Sequence, residues 1–191
     1  MFQPLVKYVD FQGRSRRSEF WLWVLFRLLV GAVMGTISTS FMLSGIDMNS
    51  HNPEQFMSRY LQIMPIFSLI NLGLLLPTLA VGVRRLHDIN RTGWWLVMPI
   101  VVAFAGLILF FIIFGSQFFT VLGSGGQMTD AQSMHFVGQM LGSMFLCLFL
   151  PVLISQIVML VFYVTDGTPG PNRFGADPKG RGLPATPEVM F

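Results

Sequence analysis

The sequence predicts an all-α, polytopic membrane protein with four transmembrane helices and both termini in the cytoplasm. Three observations carry that prediction. Of 191 residues, 53% are hydrophobic and only 11% are charged, far from the roughly one-quarter charged residues of an ordinary soluble domain. Four stretches, Phe20–Leu43, Tyr60–Val83, Trp94–Phe114 and Phe136–Val164, approach or exceed the roughly 20 mostly apolar residues that cross a bilayer. The basic residues sit at alternate ends of these stretches. The chain therefore reads as one membrane-embedded domain, 1–191, with a cytoplasmic tail over 165–191.

The first span is led by "GRSRRSEFW", and its arginines precede the apolar run. Ser15 to Phe20 has the look of a twin-arginine export signal, a receptor-read address ahead of a cleaved segment. That reading is rejected, because a long span carrying Arg27 follows, and then three more spans, with no small-residue cleavage site. Gly31 and Gly35 form a "GAVMG" spacing suited to close helix contact. The second and fourth spans are expected to begin as helices outside the membrane. "NPEQ" at Asn52–Gln55 and "TDAQ" at Thr129–Gln132 each offer a cap residue and a glutamine three positions on, the capping-box arrangement. Pro65, Pro77, Pro99 and Pro151 fall in spans two, three and four, where neighbouring helices and side chains satisfy the carbonyls that a proline frees. Pro151 is the expected kink in a fourth helix too long for the bilayer.

Orientation follows from basic residues near span ends, which stay cytoplasmic. Lys7, Arg14, Arg16 and Arg17 precede span one, Arg84, Arg85 and Arg91 separate spans two and three, and Arg173, Lys179 and Arg181 follow span four. With Arg27 on the same side, that face holds eleven basic and six acidic residues, against one and three on the other. Trp21, Trp23, Trp94 and Trp95 then all fall at the inner interface, where amphipathic rings anchor helices.

This threading gathers three polar stretches in one layer: "GRSRRSEFW", "VRRLHDINRTGWW" and "DGTPGPNRFGADPKGRG". The last is too rich in turn formers for regular structure. In their order and separation by apolar spans, these stretches resemble the DUF805 family of YhaH-like bacterial inner-membrane proteins. The resemblance implies a four-helix protein of the bacterial inner membrane with cytoplasmic termini, and a family whose function is unknown. The outer segments around "DMNSHNPEQF" and "GSGGQMTDAQSMH" are longer than the compact family pattern.

Within the layer, Arg14, Arg17, Arg84, Arg85, Arg91 and Arg173 are the candidates for binding lipid phosphate or a partner, since arginine forks suit that anion. Glu19, His87, Asp88 and Asp166 are expected to join them in an ion-pair network that fixes geometry. Topology alone accounts for a basic loop, but it does not require Asp88. Arg27, about 10 Å into span one by helical rise, is an intramembrane charge, with Asn71, Gln139 or Gln156 as polar contacts.

Several chemistries are excluded. His51, His87 and His135 are too far apart for a zinc set, so no metal is expected. "GTPGPNRFG" lacks the lysine and serine or threonine of a phosphate-cradling loop. Cys147 is the single cysteine, which rules out an internal disulfide. No cofactor and no nucleic acid is expected. The reading that results is a non-enzymatic membrane protein whose basic inner face docks anionic lipids or a cytoplasmic partner. The alternative is a small transporter or channel, which with four helices needs an oligomer. A lipid-acting enzyme with His87 as base and Asp88 as its orienter ranks last, because adjacent positions rarely present both groups together.

Overall fold

The computed structural model describes residues 3–44, 53–123, 125 and 129–181. Among them the chain is all-helical, and the only β contact is an isolated bridge between Asn172 and Gly175. Four helices are long and apolar enough to cross a membrane: Arg17–Leu43, Glu54–Asp88, Gly93–Gly123 and Asp130–Val164. Each runs past its apolar stretch into polar sequence at one end or both. Asn52, the predicted cap of the second, lies outside the described residues, as do His51 and Asp47.

The chain divides into two compact units, Met1–Arg91 with Asp166–Phe191, and Thr92–Thr165. The first unit holds a short helix α1 (Gln3–Val6), α2 (Arg17–Leu43), α3 (Pro53–Asp88) and the turn-rich segment that follows Thr165. Its burial is inverted relative to a soluble domain. Leu28, Leu29, Leu69 and Leu72 are exposed along α2 and α3, while the most buried residues include Arg84, Arg85, Asp88 and Ser15. The most enclosed apolar residues, Ala80, Val81 and Leu86, lie at the same end, with Ile63 buried farther along α3. Trp23 is only 2% exposed and donates its Nε1–H to Thr78 Oγ1 at 3.1 Å, so it packs within the unit, unlike exposed Trp21.

α3 contains two prolines. Pro77 has no N–H to offer the carbonyl four residues back, which is Gly73 O, and the Tyr8 hydroxyl donates to that oxygen. α3 stops at Asp88 because Asn90 takes a left-handed conformation, φ 60°. Asn90 N–H donates to His87 O at 3.0 Å and Arg91 N–H to Leu86 O at 2.9 Å, the paired bonds of a Schellman cap in which asparagine stands where glycine is commoner.

The second unit begins with a 3₁₀ turn (Gly93–Val97), followed by α4 (Met98–Gly123), α5 (Asp130–Met144), a π-helical turn (Phe145–Phe149) and α6 (Leu150–Val164). Pro99 is in the first turn of α4, where its missing N–H has no intrahelical acceptor to lose. At Thr129 the capping box forms: Gln132 N–H donates to Thr129 Oγ1 and Thr129 N–H to Gln132 Oε1. The departure from α geometry lies at the π turn just ahead of Pro151, not at Pro151 itself. Pro151 frees Cys147 O, and that oxygen faces Gly106 of α4, where a Cβ would come within 2.0 Å of it. Gly31 and Gly35 have open space within 4 Å, so the close helix approach expected at "GAVMG" occurs at Gly106, outside any such spacing.

Candidate functional site

The end of α3 presents carbonyls short of helical donors, and donors from other segments reach Arg84, His87 and Asp88. Arg84 O accepts from Ser15 N–H at 3.1 Å. His87 O accepts from the Asn172 side-chain amide at 3.0 Å. Asp88 O accepts from Thr168 N–H at 2.9 Å, from its hydroxyl at 3.2 Å and from Arg14 Nη2 at 3.4 Å. Residues 13–15 and 166–175 are thereby laid against the end of α3. Three polar stretches far apart in sequence meet within one unit.

At their centre is the Asp88 carboxylate, buried to 2% exposure. Arg14 Nε donates to Oδ1 at 2.9 Å and Arg85 Nη1 to Oδ2 at 2.8 Å. Arg14 spends its remaining donors on Gly170 O at 2.7 Å and Thr168 O at 2.6 Å. Gly167 lies against the carboxylate, where a Cβ would meet Oδ2 at 2.1 Å. Nothing larger than hydrogen fits there.

Two further pairs flank the centre. Arg84, 1% exposed, donates from Nη2 to Glu19 Oε1 at 3.1 Å and from Nη1 to Asp10 O at 2.8 Å. Its Nε is buried with no hydrogen-bond partner among the described residues. Asp177 accepts from Arg181 Nε at 2.9 Å and stands 3.9 Å from Arg14 Nη2. The Lys179 backbone N–H, then the Arg181 side chain and the charges of Arg181 and Arg14, hold the Asp177 carboxyl down at about 2. Asp166, exposed, is lowered chiefly by the Lys179 ammonium at 2.7 Å, with Arg17 at 3.2 Å contributing. Three buried arginines are thus set against three carboxylates, Asp88, Glu19 and Asp177.

His87 points away from Asp88. Its Nδ1–H donates to Gly13 O at 3.2 Å, and its ring stacks on Phe174 with centroids 3.8 Å apart and planes 4° from parallel. The Arg173 guanidinium lies 4.7 Å from the same phenyl centroid and donates to Asn90 O at 3.0 Å. Both Asp88 oxygens are taken by arginines, so the pair has no base-and-orienter geometry.

The structure therefore brings together Arg14, Glu19, Arg84, Arg85 and Asp88, and places Arg17, Asp166, His87 and Arg173 around them. Arg91 is exposed, just beyond the α3 cap. Arg27 donates to Asn71 Oδ1 at 3.3 Å within the spans of the same unit. Trp21 is exposed on α2. In the second unit Trp94 is 79% exposed, and half-buried Trp95 packs edge-on against Phe162. Gly167, Thr168, Asn172, Asp177 and Tyr8 were not singled out by sequence. Their signal is weak, because a run of turn formers announces irregular backbone without saying what it lies against.

The DUF805 family profile, described as a protein of unknown function, matches residues 8–125. The chain belongs to the DUF805 family. Among curated relatives, inner membrane protein YhaI of Escherichia coli strain K12 is 29% identical over 92% of this chain and 91% of its own length. Inner membrane protein YhaH of the same strain is 25% identical, with 92% of each chain covered. The uncharacterized protein YiiR of that strain is 26% identical over 88% of this chain and 85% of its own. No solved structure matches. With four candidate spans and relatives of this kind matched over nearly their whole length, this DUF805 chain is a multi-pass inner-membrane protein.

Proposed function

We propose that this protein is non-enzymatic, keeps both termini in the cytoplasm, and uses the basic face around its buried ion-pair cluster to bind anionic lipid headgroups. One observation carries the reading. The cluster absorbs Arg14, Arg84 and Arg85 in internal contacts, yet Lys7, Arg16, Arg91, Arg173 and Lys179 remain exposed around it, with Arg17 partly so. Lys179 and Arg17 share the exposed Asp166 and Arg173 holds Asn90 O, yet these cations stay open to water while the buried set does not. Basic residues near an anionic leaflet gain about 1 kcal/mol each and lose it with salt.

The test is native mass spectrometry of the full chain from nanodiscs of equal phosphatidylglycerol and phosphatidylcholine. Retained lipid should be enriched in phosphatidylglycerol, less so at high salt. Equal retention of both lipids refutes the reading, and loss of a co-purifying protein on charge reversal at Arg91 and Arg173 would point to a cytoplasmic partner instead. Orientation is read separately by a Gln12→Cys thiol in a Cys147→Ser background. It should react with an impermeant reagent only after cells are opened.

The transporter alternative has the Arg27–Asn71 contact in its favour, since an ionisable residue within a span is a functional candidate. Ion or metabolite flux into liposomes holding the wild-type protein, lost in Arg27→Gln, would support it over headgroup binding.

A further inference from the structure

We infer that the cleft between the N-terminal segment and the first turn of α2 seats the phosphate of a single phospholipid, with Lys7 and Arg16 as its cationic ligands. This rests on the anionic-lipid reading above and assigns it a place. The cleft has a volume of about 470 Å³ and is lined by Lys7, Arg16, Ser18, Glu19 and Leu22, with Arg14 and Pro178 completing the wall. That volume falls in the range of roughly 300–1,000 Å³ typical of small-molecule sites.

The charges in the wall are not equivalent. Arg14 is neutralised by Asp88 at 2.9 Å, and Glu19 by Arg84 at 3.1 Å. Among the described residues Lys7 has only the half-exposed Asp10 at 3.9 Å, a pairing of little strength in water. Arg16 donates to Pro178 O, a neutral carbonyl. Among the described residues, Lys7 thus has a weak exposed pairing and Arg16 no carboxylate within 4 Å, and both face the cleft beside the exposed Ser18 hydroxyl. Arginine with lysine and a hydroxyl is donor chemistry for a phosphate oxygen set. Ser18 and Glu19 also bring the positive end of a 27-residue helix to the wall.

Leu22 distinguishes a lipid from a soluble phosphate ester. It begins an exposed apolar line of Leu22, Leu25 and Leu29 along α2, at the spacing that keeps side chains on one helical face. A phosphate in the cleft would let an acyl chain follow that line.

The experiment uses the full chain in nanodiscs of equal phosphatidylglycerol and phosphatidylcholine, read by native mass spectrometry. Wild type should keep one phosphatidylglycerol at activation energies that strip the others. The double variant Lys7→Gln/Arg16→Gln should retain it roughly 30-fold more weakly, from the surface-charge gain of two basic residues, while Lys7→Arg/Arg16→Lys retains it and Arg91→Gln/Arg173→Gln changes it little. If wild type shows no phosphatidylglycerol preference, the parent reading falls and this inference with it. If the preference survives in Lys7→Gln/Arg16→Gln and disappears in Arg91→Gln/Arg173→Gln, the parent reading stands and the cleft is the wrong seat. Inorganic phosphate binding as tightly as the lipid, to wild-type protein in phosphatidylcholine discs, would overturn the assignment to a lipid.

Discussion

Gly167→Ala is a small change aimed at the centre of the buried cluster. An added Cβ would sit 2.1 Å from Asp88 Oδ2 and 2.5 Å from Cγ, so ordinary separation of at least 3.4 Å requires a retreat of about 1.3 Å. If the carboxylate moves, its bonds of 2.9 Å to Arg14 and 2.8 Å to Arg85 stretch or break, leaving buried charge without its partner. If the 166–181 segment lifts instead, Arg14 loses Thr168 O and Gly170 O, and Asp88 O loses Thr168 N–H. Hydrogen bonds to charged groups contribute about 1.5–3 kcal/mol each, and breaking a buried pair costs about 3–5 kcal/mol. We expect a loss of about 2–5 kcal/mol by either route.

Backbone strain adds nothing at Gly167, whose φ is outside the left-handed region, and Gly170→Ala is the control. Gly170 has φ +75° and open space around it, so alanine there incurs only the conformational cost of about 1–2 kcal/mol. Hydrogen exchange of the 166–181 amides in nanodisc-held protein, together with the thermal midpoint, reads both variants. The Thr168 amide should lose protection far more in Gly167→Ala than in Gly170→Ala. Equal or milder loss would show that the carboxylate is not held as described.

Gly106→Ala should destabilise the second unit by about 1–3 kcal/mol through overpacking against Cys147 O, a backbone atom unable to step aside; Gly31→Ala, facing open space, should leave the thermal midpoint unchanged, and equal effects would contradict the packing. Tyr8→Phe should cost about 0.5–1.5 kcal/mol by leaving Gly73 O without its donor. In a Pro77→Ala background, where the helix supplies that donor itself, a double-mutant cycle should find the penalty gone. For pH, the Asp177 carboxyl is depressed from an ordinary 3.8 to about 2. Its contribution to docking of the C-terminal segment is complete above 3.8 and is lost as pH falls through about 2. Protection of 166–181 in wild type should decline across that window. Asp177→Asn should be weaker throughout and flatter there, and a wild-type profile parallel to the variant's would count against it.

The long apolar helices were legible because lipid-facing sequence is continuous and needs no periodicity to be seen. The Thr129–Gln132 cap was legible because both its partners are local. The ends of the helices were not. α3 continues to Asp88 through Arg84 and Arg85 because residues 13–15 and 166–175 wrap its polar end, and no window of sequence contains all three. For the same reason positive charge was readable as a topology signal but not as burial. Arg14 and Arg16 are two positions apart in one basic run, yet the first is enclosed and the second exposed. Trp23 looked like Trp21 until the neighbouring helix placed Thr78 against its indole.

The inverted burial has a physical reason. Between helices in lipid, hiding a leucine gains little, because the acyl chains it leaves are as apolar as the side chains it joins. Exposed Leu28, Leu69 and Leu72 therefore cannot fix how α2 and α3 are arranged in the first unit. Polar groups can, since an unpaired arginine or carboxylate away from water is costly in every arrangement but the one that pairs it. Arg84 with Glu19 ties the end of α3 to α2, and Arg14 with Asp88, Thr168 and Gly170 ties both to the C-terminal segment. The sequences that carry the family resemblance are these same stretches. Their pairings fix how α2, α3 and the C-terminal segment are arranged within the first unit.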